Sequence, residues 1–318
     1  STREFYKINK ELTDEQVIER VASAYYQIYI QKQKLTIIDS TIKNTTKVRN
    51  IIKGQYDNGL AKKIDLDRTI VKLSNIVSQR QQIVSAVEQQ ENSLKFLIGM
   101  PMATKIELPE TNFEAPAVLL GDSPDMQKRT EYQLIKQQEE LLTYERKSIV
   151  AGYYPTLSLA GNYGYQGQGR EFPLGGKPED GVYWSDFATV GLNLRIPIFT
   201  GFATRSRVRQ SDIKLKKIAA DLEDTQLGLD LAYNNAKARI NNTLITIEAQ
   251  KENVALAQDV LDNTRNNYQQ GLTPLTDLLD AENALTDAKN SYSNSLLEYK
   301  LAEIQLIKSQ GELKTLLN

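Results

Sequence analysis

Residues 268–285 read YQQGLTPLTDLLDAENAL, and residues 56–73 read YDNGLAKKIDLDRTIVKL. Superposed at a shift of 212 positions, Tyr56, Gly59, Leu60, Asp65, Leu66 and Leu73 fall on Tyr268, Gly271, Leu272, Asp277, Leu278 and Leu285. The same shift carries Leu94 and Gly99 onto Leu306 and Gly311, and Val21, Ile28, Leu35 and Ile42 onto Tyr233, Ile240, Ile247 and Val254, with no gap. Each copy reads as a helix, a tight turn at glycine and a second helix, because glycine accepts the left-handed backbone that closes a helix end. Two copies of one long hairpin predict a wall, rod or ring rather than a pocket.

Working outward, the first copy predicts helices from about Leu12 to Tyr56 and from about Ile64 to Ile98. The first is striped by Val21, Ile28, Leu35, Ile42, Arg49 and Tyr56, the second by Leu66, Leu73, Val87 and Leu94. Prolines at 101, 109 and 116 break the period and predict an irregular connector over 99–123, with a shorter helix from about Asp125 to Val150. From Gly201 to Gln270 one helical pattern runs on, roughly 105 Å at 1.5 Å per residue. A last helix is expected from Pro274 to about Leu317. Along it Leu278, Leu285, Tyr292, Tyr299, Leu306 and Leu313 recur every seven residues, and three positions after the first five sit the small residues Ala281, Ala288, Ser295, Ala302 and Ser309. That alternation favours close antiparallel coiled-coil packing.

Residues 153–165 (YYPTLSLAGNYGY) and 187–199 (FATVGLNLRIPIF) have period two instead, and predict strands. Leu157, Leu159, Tyr163 and Tyr165 share one face of the first; Val190, Leu192, Leu194, Ile196 and Ile198 share one face of the second. Ser158, Asn162, Thr189, Asn193 and Arg195 lie on the reverse faces. Each segment is long enough for a tilted strand to cross a bilayer, and a loop rich in Gly, Pro and charge, followed by Tyr183 and Trp184, joins them. A half-buried hairpin of a water-soluble domain has the same alternation, but no further strand is available to cover this one. The fold class is therefore mainly α: long antiparallel coiled-coil hairpins in a two-repeat arrangement, with one β-hairpin able to contribute to a trimeric β-barrel. The organisation expected is 1–98, first helical hairpin; 99–123, connector; 124–151, short helix; 152–200, β-hairpin with its loop; 201–318, second helical hairpin. The shift of 212 puts the first-copy counterparts of the strands before Ser1, so the start of the first repeat is expected to precede this sequence. Three chains with one hairpin each supply six strands, fewer than the roughly eight of small membrane barrels; a second hairpin per chain would give twelve.

Composition narrows the function. The 318 residues contain neither cysteine nor histidine, which removes thiolate chemistry, the commonest general base and the commonest transition-metal ligand. With a net charge of −1 and no basic run, the chain offers no electrostatic footprint for nucleic acid. Phosphate-binding glycine loops and nucleophile elbows are absent from the sequence, so neither an enzymatic activity nor a cofactor is expected. A coiled-coil scaffold or periplasmic adaptor remains the alternative to a channel, and the paired alternating strands argue against it.

The segments YDNGLAKKIDL, LKFLIGMP, YPTLSLAGNYGY, VGLNLRIPIFTG and YQQGLTPLTDLLDAENAL resemble the TolC family of outer-membrane efflux proteins, over almost the whole of residues 12–317. The resemblance implies a homotrimer in the outer membrane whose strands pool into one barrel and whose helices continue as a periplasmic tunnel. That duct would export small molecules or proteins for a tripartite efflux pump or type I secretion system. Its implied partners are a periplasmic adaptor protein, an inner-membrane transporter and lipid. By the same resemblance Asp277 and Asp280 match the acidic constriction at the periplasmic aperture, where a cation could bind; Asp65 and Tyr268 match latch residues; and Gly59, Leu60, Gly271 and Leu272 stand at the hairpin tips that meet the adaptor. An arginine is common in the family where Thr273 stands here, leaving Lys62 or Lys63 as alternative latch cations. From the residues alone, Thr273 as N-cap, Pro274 at the first helical position and Asp277 in the positive field of the helix start account for that turn without any gate. Asp280, one turn further in, is not explained by capping.

Overall fold

The computed structural model describes residues 2–108, 125–169, 179 and 181–317. Expectations for Pro109, Pro116 and loop residues 170–178 and 180 lie outside the described residues. The elements are α1 (Thr2–Asp57), α2 (Lys63–Leu97), α3 (Thr130–Ala151), β1 (Thr156–Gln168), β2 (Tyr183–Arg195), α4 (Ala203–Gln269) and α5 (Leu275–Gln310), with 3₁₀ turns at Met126–Lys128 and Leu313–Leu317. The fold is mainly helical, with paired long helices and one antiparallel hairpin. Contacts divide the chain into two compact units, Ile135–Leu222 with Ser1–Thr2, and Arg3–Leu134 with Glu223–Asn318.

In the larger unit α5 is the spine. Leu278, Leu285, Tyr299 and Leu306 are buried along it, as are the small residues Ala281, Ser295, Ala302 and Ser309. They join Ile30 of α1 and Tyr233, Ala236, Ile240 and Ile247 of α4 in one cluster, and Ile52 and Leu261 in another nearer the turns. Each large side chain so buried is worth about 1.5–3 kcal/mol of transfer free energy. The stripe expected on α1 is only partly right. Ile28 is fully buried, but Tyr56 is exposed, and the buried ladder is Ile38, Thr45 and Ile52.

Four helix ends close by the same bond pattern. Leu60 N–H donates to the Gln55 carbonyl (2.7 Å) and Leu272 N–H to that of Asn267 (2.9 Å); Met100 N–H donates to Lys95 (2.8 Å) and Glu312 N–H to Ile307 (3.0 Å). In each the glycine one position earlier is left-handed, at φ 75° for Gly59, 68° for Gly99, 75° for Gly271 and 79° for Gly311. The last helix therefore stops at Gln310, not Leu317; Leu313 is buried from the 3₁₀ turn beyond. The short helix likewise begins later than expected, at Thr130, because Arg129 is extended (φ −68°, ψ 136°) after the 3₁₀ turn.

In the smaller unit β1 pairs antiparallel with β2 from Thr156↔Arg195 to Gln168↔Tyr183. Both strands lie nearer the loop than 153–165 and 187–199. At one end proline sets the difference: Pro155 has no N–H for the ladder and Pro197 ends the pairing beyond Arg195, so Ile196 and Ile198 fall outside the strand; at the loop end the ladder runs on to Gln168↔Tyr183 and takes in Tyr183 and Trp184. The faces are as read. Leu157, Leu159, Tyr163 and Tyr165 stand on the same side as Leu194, Leu192, Val190 and Trp184, and all of these are exposed. Arg146 with Asp212 (2.6 Å) and Lys214 with Glu145 (2.9 Å) tie α3 to α4; half-exposed, such pairs add little stability.

Candidate functional site

The two hairpin turns present the residues singled out from the sequence. Leu60 and Leu272, at 81% and 69% exposure, are the tips, held outward by the left-handed Gly59 and Gly271. Neither following helix has a side-chain cap: the N-cap residues are Lys62 and Pro274, and in both helices a carboxylate, Asp65 or Asp277, supplies the negative charge of the first turn. The expectation of Thr273 as N-cap with Pro274 inside the helix is thus corrected. Pro274 is extended (φ −71°, ψ 161°) and is itself the cap residue, and the Thr273 hydroxyl is buried without a hydrogen-bond partner. The extended ψ at Pro274 carries the non-helical backbone one residue past Thr273, so the first helical residue is Leu275.

Asp277 and Asp280 are both exposed, one helical turn apart on α5. The Asp277 carboxylate accepts only a long bond, 3.4 Å, from the neighbouring Thr276 hydroxyl. Asp280 lines a groove of about 750 Å³ between α2 and α5, with Asp67, Arg68, Lys72, Thr286 and Asp287 among its walls. Tyr268 is half-buried against the tip-side core cluster. Burial, then the negative charge of Asp65, raises its phenol above the ordinary tyrosine range. Lys62 and Lys63 are exposed.

Beneath these surface groups lies a polar node that the sequence reading missed. Lys72 of α2 donates to the Leu279 carbonyl (2.8 Å) and to Glu282 Oε2 (3.4 Å), and Thr45 of α1 reaches the same oxygen at 3.5 Å. Glu282 is buried and its Oε1 has no hydrogen-bond partner. Desolvation lowers the Lys72 ammonium below the usual lysine range, opposed by Glu282 and then Asp280. The Thr41 and Thr286 hydroxyls meet at 3.2 Å in the adjoining turn. One signal was available: Glu282 sits among Leu278, Leu279, Ala281 and Leu285, a charge inside an apolar seam that requires a buried partner.

Among the described residues no group of His, Cys, Asp and Glu is arranged to hold a metal ion, and no helix is long and apolar enough to cross a membrane. Long paired helices with one hairpin of uncovered apolar face define the fold class of outer-membrane channel protomers. The family model described as outer membrane efflux protein matches residues 126–312, and the chain belongs to that family. It is 23% identical over 308 residues to outer membrane protein TolC of Vibrio cholerae, covering 95% of this chain and 69% of that protein. It is 25% identical over 325 residues to outer membrane protein TolC of Escherichia coli, covering 95% of this chain and 62% of that protein. The chain thus spans under two thirds of the second relative's length. Among solved structures, VceC of Vibrio cholerae superposes with a TM-score of 0.78 at 16% identity, covering 96% of this chain and 72% of the other. The MtrE channel of Neisseria gonorrhoeae gives 0.77 at 17%, covering 97% and 69%.

Proposed function

We propose that this protein forms the outer-membrane exit duct of an efflux pump or type I secretion system. The hairpins of three copies contribute to one barrel, and the helical hairpins line the periplasmic passage. The observation that carries the reading is the β1–β2 ladder, 13 residues on each strand, with Leu157, Leu159, Val190, Leu192 and Leu194 exposed along one face and Ser158, Asn162, Thr189 and Asn193 along the other. Exposed in water such a face is costly; against lipid it is solvated, and the polar reverse face can line a lumen. The duct does no chemistry, and needs no cofactor. Energy comes from an inner-membrane transporter, and a periplasmic adaptor meets the tips at Gly59, Leu60, Gly271 and Leu272. Asp277 and Asp280 form the constriction, where three copies would gather carboxylates that repel one another and attract cations. Asp65 and Tyr268 act beside it as the latch.

Fractionation of cells making the full-length protein tests the reading. Recovery in the outer membrane as a trimer is expected, and recovery as a water-soluble monomer would overturn it. In planar bilayers, replacing Asp277 and Asp280 with Ala is expected to remove block by divalent cations; unchanged block would remove those residues from the aperture.

A further inference from the structure

The Lys72–Glu282–Thr45 node joins three helices, α1, α2 and α5, and grips α5 at a chosen place. Lys72 holds the carbonyl of Leu279, which lies between Asp277 and Asp280 in the chain, at the wall of the groove that Asp280 also lines. Glu282, the second partner of Lys72, lies three residues, nearly one turn, beyond Leu279. No other ion pair between helices of this unit is buried as deeply among the described residues: the side chains are 12% and 4% exposed, against 36% and 21% for Lys32–Glu91 and 39% and 46% for Arg80–Asp39. A buried ion pair adds little net stability compared with apolar residues of the same volume, because desolvation cancels most of the attraction. Losing either partner, by contrast, leaves a stranded charge. Such a pair does more to fix the relative position of the elements it joins than to hold the fold together.

We infer that Lys72 and Glu282 are positioning residues for the aperture: they lock the first turns of α5 onto α2, and the turn bearing Asp277 and Asp280 moves only when Lys72 releases the Leu279 carbonyl. The inference rests on the aperture reading above. Neither residue touches the passing solute; both act through the backbone of α5.

The test uses the full-length protein in planar bilayers, with thermal unfolding measured in parallel. Lys72→Met alone strands the Glu282 charge and risks the fold, so the informative variant is Lys72→Met with Glu282→Gln, which removes both charges and keeps the volumes. Its melting transition is expected close to the parent's, while the fraction of time the channel is open rises about tenfold or more, the effect of losing a hydrogen bond to a charged group. Lys72→Arg, which keeps the donors, is expected to gate like the parent. Parent-like gating in the double variant, or gating in Lys72→Arg as loose as in the double variant, overturns the inference. Asp277→Ala with Asp280→Ala separates the two readings. If that variant loses divalent block while the node variants gate normally, only the lock fails. If block is unchanged, the aperture reading fails and the lock fails with it.

Discussion

The two turns of this chain are nearly identical, and the helices that follow them are not. At Gly59 and Gly271 the backbone angle, the closing bonds, the uncapped helix start and the first-turn aspartate all agree. Yet α5 buries residues along its whole length, from Leu275 to Ser309, whereas α2 buries only Thr69, Ile76, Leu94 and Lys95 and exposes Ile64, Ile70, Val71 and Val77. Turn geometry depends on a handful of adjacent residues, so repetition of the local sequence preserves it. Burial depends on which neighbours a helix meets: α5 has α1, α2 and α4 around it. The exposed apolar side of α2 is the surface that a second copy would cover under the trimer proposed above.

The largest test of that asymmetry is truncation at equivalent positions. Tyr299 is 0% exposed and Val87, its counterpart at the 212-residue shift, is half-buried. Tyr299→Ala is expected to cost about 3–5 kcal/mol, as for other large buried aromatics, and Val87→Ala about 1 kcal/mol. Thermal or urea melts of the full-length protein would measure both, and equal costs would break the comparison. Second in size is an alkaline effect at Tyr299 of the spine. Burial, then the charge of Glu303, pushes the Tyr299 phenol up to about 12. A raised folded value means this stability is intact below the unfolded pKa near 10 and is lost as pH climbs toward the folded one. About 2–3 kcal/mol should disappear across that window, and Tyr299→Phe should flatten the loss.

Much of the fold was legible because its signals are local. The α5 stripe, the glycine turns and the strand alternation each needed only neighbouring residues. What failed did so for identifiable reasons. On α1 the apolar period pointed to Val21 through Tyr56, because the true ladder of Ile38, Thr45 and Ile52 passes through a threonine and looks broken on an apolar count. The last helix was expected to run to about Leu317 because the seven-residue step continues past Gly311 to Leu313; the match of Gly311 to Gly99 held the correct stop. Strand ends were misplaced because alternation survives across Pro155 and Pro197 while pairing does not. The polar node was least accessible, since nothing local announces that Lys72 and Glu282, 210 residues apart, will meet.

A smaller effect sharpens the likeness of the turns. A side chain at Gly59 or Gly271 meets nothing within 4 Å, so substitution there costs only the left-handed backbone. Gly59→Ala and Gly271→Ala are each expected to lose about 1–2 kcal/mol. The two losses should agree to within a few tenths of a kcal/mol in the same melting assay. A markedly larger loss at Gly271 would mean that this turn carries a constraint its twin lacks.

The smallest stability change separates shared structure from proposed function. Asp65 and Asp277 occupy the same first-turn position and both compensate the positive end of a helix dipole. Removing either charge should cost about 0.3–1 kcal/mol, with the loss shrinking as salt is added. If Asp277 did no more than this, Asp65→Asn and Asp277→Asn would be indistinguishable in every assay. The aperture reading predicts otherwise: similar melts, but weaker divalent-cation block only for Asp277→Asn, because Asp277 is exposed beside Asp280 whereas half-buried Asp65 has Arg68 at the matching position. Equal block in the two variants would reduce Asp277 to a helix-start residue and leave Asp280 to account for any cation site alone.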